Sequence, residues 1–334
     1  MDSFTQIVLG GAIGNAVAGN KLKNKAVLYG AIAGTIPDLD TLAILFTDPL
    51  TAVEIHRGFT HSLIFTILGG FLFGYLMYRI EKKNNITMEE CFWLFFWGLF
   101  THSLLDIFTT WGTHILWPFN YSFAFKSIFV IDPLYTLPFV FCLYKSMREK
   151  ENLKLRRLWN KRGLLISSGY LFITLLLKAL VFYSFTHELD NQRIKYNSLS
   201  VRPTVMNTIL WNGTVETDHS YLIGQYSFFD ESPITFKEFP KNMEMVKGLE
   251  NHQLITRLVN ISEGQYTYSE QNGSVYFNDL RFGLLNSDEN NIQFAFSYRF
   301  TVDKNGELAV EEVQKKREDG FKLLKKLWYR LQGI

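Results

Sequence analysis

The sequence predicts an α-helical polytopic membrane domain of five to six apolar helices, residues 1–188, followed by a small α+β domain with an antiparallel sheet, residues 189–334. Three observations carry that reading. Apolar stretches near membrane length, about 20 residues, crowd the first half. The loops between them alternate between Lys/Arg-rich and nearly Lys/Arg-free. From about Asn191 the pattern changes to short alternating runs separated by turn residues.

The apolar segments are Phe4–Gly19, Ala26–Phe46, Phe59–Tyr78, Cys91–Thr110, Ser127–Tyr144 and Leu164–Phe185. The first and fifth are short. The first is rich in glycine, which suits close packing between membrane helices. Lys21, Lys23 and Lys25 follow segment one, and Arg79, Lys82 and Lys83 follow segment three. The run Lys145–Arg162 holds eight bases against two acids. The loops Thr47–Gly58 and Trp111–Lys126 are almost free of Lys and Arg. Basic loops stay cytoplasmic, so one topology satisfies every loop, with both termini outside. The basic run reads as a juxtamembrane anchor, and no nucleic-acid partner is expected.

The second half shows strand-like runs at Thr204–Trp211, Ser220–Phe229, Gln265–Ser269, Ser274–Leu280, Ile292–Val302 and Glu307–Val310. Asn212-Gly213, Asn272-Gly273 and Asn305-Gly306 are turn signals. Asn242–Val259 reads as a helix. The tail Lys315–Leu331 reads as an amphipathic helix, on a membrane surface or on the sheet. Cys91 and Cys142 both lie in the apolar half, so neither a disulfide framework nor a thiolate zinc site is expected.

Ionisable side chains inside apolar segments are costly and usually functional. Here they cluster. Asp38 and Asp40 follow Pro37, which should interrupt segment two. His56, Arg57 and His61 lie in and after an outer loop. His102 and Asp106 are four residues apart on segment four and share a helix face. Asp132 opens segment five. The topology, fixed from Lys and Arg alone, brings all of them to one depth on the outer side. Four carboxylates and three imidazoles suit two or three divalent ions and a metal-activated water. The donor types favour Zn2+, with Mn2+ second. Arg57 can hold a substrate anion or pair with a ligating Asp. Thr60, Ser62, Thr101 and Ser103 can brace ligands or bond their own helices.

The opening Met1–Gln6, Gly34–Asp40, His56–Ser62, Thr101–Asp106 and Asp132–Tyr135 resemble the YdjM-type membrane-bound metal-dependent hydrolases of bacteria. The likeness covers about residues 1–140 and continues more weakly into Asn207–Trp211 and Asp279–Gly283. That group is related to zinc-dependent phospholipases C and single-strand nucleases. The resemblance implies a phosphoester hydrolase of the bacterial inner membrane, with an extracytoplasmic C-terminal domain. It implies metal ligands Asp38, Asp40, His56, His61, His102 and Asp106, with Asp38, Arg57 and His61 in catalysis. The expected substrate is a phospholipid or lipid-linked phosphate. An ion transporter and a non-catalytic metal-binding membrane protein are the alternatives.

Overall fold

Asp2 starts the first helix by accepting a bond from the Thr5 backbone N–H at 3.0 Å and its hydroxyl at 2.6 Å. Helix α1 (Ser3–Leu22) then runs 20 residues to a reversal at Lys23, and α2 (Asn24–Ala33) returns along it. Gly10 and Gly14 of α1 meet Gly30 and Gly34 across the pair. A Cβ on Gly30 would overlap the carbonyl oxygen of Gly10, so only glycine permits this approach.

The computed structural model describes residues 1–119, 121–286, 292–302, 307–313 and 320–334. It divides into two units: Met1–Leu177 with Val205–Thr208, and Lys178–Thr204 with Ile209–Ile334. In the first unit α2 gives way at Gly34–Ile36 to a 3-10 helix, Pro37–Leu45, bent by 48° from it. That is the interruption expected at Pro37. Helix α3 (Pro49–Ile55), a 3-10 turn Phe59–His61, α4 (Leu63–Glu81), α5 (Met88–Ile107) and α6 (Pro133–Arg148) follow, and α7 (Leu153–Asn191) runs from this unit into the second. Thr87 and Glu90 close a reciprocal capping box at the start of α5. The core between α1, α5 and α6 holds Leu9, Ala12, Leu105, Tyr135 and Phe139.

Two helical stretches among the described residues are long and apolar enough to cross a membrane, Leu63–Asn84 and Leu153–Asn191, or three if the bent pair Asn24–Leu45 counts as one. The six apolar segments therefore do not translate into five to six spans by length and composition. The reason is local. Glycine and asparagine dilute α1, Glu89, Glu90 and Asp106 dilute α5, and α6 stops at 16 residues. On α4, Leu68, Phe71, Leu72, Leu76 and Ile80 are each at least 50% exposed. A stripe of that size is unsuited to water and matches hydrocarbon.

The second unit contains two four-stranded antiparallel sheets, each in sequential order. The first is β1 (Ser198–Pro203), β2 (Leu210–Glu216), β3 (Ser220–Ser227) and β4 (Phe236–Pro240). The second is β5 (Tyr266–Gln271), β6 (Ser274–Asn286), β7 (Gln293–Val302) and β8 (Leu308–Glu312). Helices α8 (Gln253–Ile261) and α9 (Gly320–Leu331) complete it. This is more than one small sheet with one helix. The expected helix Asn242–Val259 shrinks to a 3-10 turn at Met243–Val246 and α8. The expected strand Thr204–Trp211 is mostly the connection between β1 and β2. Asn212-Gly213 is no turn: it pairs with Gln225 and Gly224 inside β2. Gly213 is required there because the buried Phe185 ring fills the space a Cβ would take. Asn272-Gly273 does turn the β5–β6 hairpin, with φ of 52° and 75°. Asn305-Gly306 and the start of the expected tail helix lie outside the described residues.

The Asp279–Gly283 motif has a structural use. Arg281 donates to Asp279 from Nη2 at 2.8 Å and Nε at 3.1 Å, and both residues are buried. Burial opposes the charge on Arg281, and the Asp279 carboxylate more than offsets it, holding the guanidinium above its ordinary value.

Candidate metal centre

Four side chains from three stretches meet in the first unit. The 3-10 helix supplies Asp38, the Phe59–His61 turn supplies His61, and the last turns of α5 supply His102 and Asp106. One donor atom from each lies within 4.8 Å of all the others. His61 and His102 face each other with Nε2 atoms 3.1 Å apart. Asp38 Oδ1 is 3.3 Å from His102 Nε2 and 3.5 Å from His61 Nε2. Asp106 Oδ2 is 3.5 Å from His61 Nε2 and 3.7 Å from His102 Nε2. His61, His102 and Asp106 are fully buried, and Asp38 is partly open.

The hydrogen-bond network assigns the tautomers. His102 Nδ1 lies 2.7 Å from the Gly34 carbonyl oxygen, which can only accept, so Nδ1 carries the proton. His61 Nδ1 lies 3.0 Å from Thr60 Oγ1 and 3.4 Å from Asp40 Oδ2. Thr60 spends its own hydroxyl proton on Asp40 at 2.6 Å, so His61 Nδ1 must donate too. With both rings neutral, both Nε2 atoms present lone pairs. Two lone pairs 3.1 Å apart, with two carboxylate oxygens beside them, repel unless a proton or a metal cation sits among them. Asp106 Oδ2, moreover, is buried with no hydrogen-bond partner among the described residues, its nearest cation being Arg57 Nε at 3.3 Å. Five of the six donor spacings run from 3.1 to 3.7 Å and bracket the edge of a tetrahedron of zinc-like ligands, about 3.3 Å. The residues present fit one divalent ion.

Asp40 and His56 stand behind that group. Asp40 Oδ1 meets His56 Nδ1 at 2.7 Å, and Oδ2 accepts from the Arg57 backbone N–H at 3.1 Å. Asp40 thus orients His61 while holding the turn that carries it. Asp132 stands apart. It caps α6 through the N–H groups of Leu134 and Tyr135 and accepts from Tyr170 Oη at 2.9 Å. Arg57 is buried with φ of 65°, a costly conformation for a non-glycine residue. Its Nε lies 3.3 Å from Asp106 Oδ2, and its Nη1 donates to Thr109 at 2.8 Å. Of its two readings, the ion pair with a ligand carboxylate is the one formed here.

Several contributors escape sequence reasoning. Gln6 Nε2 donates to Asp106 Oδ1 at 3.0 Å and to the His102 carbonyl at 3.2 Å, with the Met1 amino group on the same oxygen. The Gly34 carbonyl carries no signal in its side chain, only its place beside Pro37. Thr60 braces the site as one reading held. Ser62 caps α4, and Thr101 and Ser103 bond carbonyls within α5.

Residues 1–186 match the profile of the YdjM inner membrane protein family. The chain belongs to the YdjM family. All four clustered residues fall inside the matched region. A curated relative, the inner membrane protein YbcI of Escherichia coli (strain K12), is 32% identical over 136 residues, covering 38% of this chain and 76% of that protein. No solved structure matches. Membership of the YdjM family and the apolar helices place the protein in the inner membrane.

Asp40→Asn tests the tautomer argument. The amide cannot serve as an anionic acceptor for His61 Nδ1. Metal affinity should fall about 10- to 100-fold, read by competition against a chromophoric chelator. An unchanged affinity would refute the orienting role of Asp40.

Proposed function

We infer that this protein is a membrane-bound, metal-dependent hydrolase of a phosphoester, with a phospholipid or lipid-linked phosphate as substrate. The observation that carries this reading is the convergence of Asp38, His61, His102 and Asp106 with their lone pairs on one point. A divalent ion there, zinc before manganese, would supply Lewis acidity, to neutralise phosphoryl charge and acidify water. The four residues would hold it, and Asp40 and His56 are the next donors should a second ion bind. Asp38 is the one member of the group open to the surface, so it borders the path a phosphoester would take. His61 would hold the ion through Nε2 while its Nδ1 contacts to Thr60 and Asp40, with His56 behind them, fix the ring. Arg57 balances Asp106 and adds positive charge where a phosphoryl group would develop negative charge. We place the second unit and the cluster on the extracytoplasmic side, from the alternation of basic loops.

The test is metal analysis of the purified full chain, with assays on phosphatidylglycerol, lipid-linked pyrophosphate and a nucleotide phosphodiester. One equivalent of a transition metal and turnover of a lipid phosphoester are expected. Absence of stoichiometric metal would end the reading. Metal without turnover on any of the three would favour the non-catalytic alternative. One observation speaks for that alternative: three of the four donors are fully buried.

A further inference from the structure

At the other end of the same helices lies an open pocket of about 370 Å³. Lys21, Lys23, Asn24, Lys25, Asn84 and Lys150 line it. Gln6 of α1 touches Asp106 of α5, while Lys21 of α1 pairs with Glu90 of α5 at 2.8 Å. Glu90 and Asp106 are sixteen residues apart in one helix, about 24 Å along its axis. The cavity is therefore separate from the metal centre.

Its charge is only partly balanced. Lys21, Lys23 and Lys25 hold Glu90, Glu151 and Glu81 at 2.8, 3.1 and 3.0 Å. No described carboxylate pairs with Lys150. Behind the wall, Arg156 is 2% exposed and bonded only to neutral oxygens. Its Nε donates to Asn15 Oδ1 at 2.7 Å, and its Nη1 to Asn24 Oδ1 at 2.8 Å and to the Ser146 carbonyl at 3.5 Å. Its Nη2 has no hydrogen-bond partner among the described residues. A buried guanidinium without a counter-ion is costly. Asn24 belongs both to this network and to the cavity wall, so the uncompensated charge stands next to the empty space. Helix α2 starts at the same point. Asn24 and Lys25 are its first residues, and no side chain caps it, which leaves the positive end of its dipole facing the cavity.

We propose that this cavity binds a phosphate-bearing anion, presented by an anionic phospholipid headgroup at the basic end of the helices. Basic pockets between membrane helices take such headgroups. The surrounding surface of α4 and α7 is apolar and exposed, so acyl chains have a surface to lie on. Lysines give charge without demanding one geometry, and Arg156 supplies the fixed positive background.

The experiment uses the full chain in nanodiscs of phosphatidylcholine doped with phosphatidylglycerol, with retained lipid counted by native mass spectrometry. Inorganic phosphate is tested separately by thermal shift. Phosphatidylglycerol should be retained about tenfold over phosphatidylcholine. The double variant Lys23→Gln, Lys150→Gln should lose about 25-fold in affinity, at about fivefold per lysine. Both side chains are exposed, so the variant should unfold at the wild-type temperature and keep its metal content. Equal retention of the two lipids by wild type would overturn the proposal without recourse to any variant. So would unchanged retention in the double variant. Stabilisation by inorganic phosphate with no lipid selectivity would overturn the lipid assignment in favour of a soluble phosphate.

Discussion

On the proposed function, His102→Ala should leave the purified protein without metal and lower phosphoester hydrolysis by roughly a thousandfold or more. The imidazole is one of four donors, and its Nε2 is 3.1 Å from the His61 Nε2. Its loss leaves Asp38 and Asp106 facing one imidazole, with too few donors to displace water from a small divalent ion. Loss of a second-shell partner alone costs about 10- to 100-fold in metal affinity, so loss of a ligand should cost more. The Gly34 carbonyl loses its partner as well, which releases the bend that aims Asp38. Metal content after dialysis and initial rates with added zinc are the measurements. Retention of a full equivalent of metal by His102→Ala would mean that the four-residue group is not the site. Circular dichroism separates ligand loss from unfolding, because α5 should keep its helical signal.

Gly30→Val should destabilise the protein by about 3 kcal/mol, the upper end of overpacking costs. A Cβ on Gly30 meets the carbonyl oxygen of Gly10 and the Cα of Gly14, which are backbone atoms and cannot rotate away. Helices α1 and α2 would have to separate. Gln6 sits on one of them and Gly34 at the end of the other, and both touch His102 or Asp106. Metal affinity should therefore fall along with stability. Gly169→Val is the matched comparison, since a Cβ there meets nothing within 4 Å. Thermal unfolding in detergent should show Gly30→Val well below Gly169→Val. Equal melting of the two variants would remove the argument for close helix approach.

The site was legible where chemistry and spacing coincided. His102 and Asp106 are a helical pair, Asp38 follows a proline that breaks its segment, and His61 opens the next apolar run. Four of the residues that the lysine and arginine pattern groups together do lie within 4.8 Å of one another through their donor atoms. Depth does not fix direction around a helix axis, and that is why Asp132 could be read as a ligand. Its oxygens go to its own helix start and to Tyr170, 38 residues later. Backbone contributors such as the Gly34 carbonyl leave no mark in a sequence pattern. In the second unit the turn dipeptide Asn212-Gly213 misled for a related reason. Glycine there answers to the ring of Phe185, a partner distant in sequence, and not to a local turn. The weakly patterned β1 and β4 went unread because their pairing with β2 and β3 defines them more than their composition.

The cluster draws its donors from positions 38, 61, 102 and 106, in three separate stretches. Both cysteines of this chain are free and buried, so no covalent bridge ties those stretches together. An ion held by them would act as a cross-link. Joining residues 38 and 61 closes a loop of just over twenty residues, a constraint that a disulfide of that span makes worth about 3 kcal/mol through the unfolded chain. The loop so closed contains α3 and the exposed Leu42–Phe46 stretch. Metal occupancy would then set the rigidity of the segment that borders Asp38, and starving the protein of metal would loosen the entrance before it unfolds the helices.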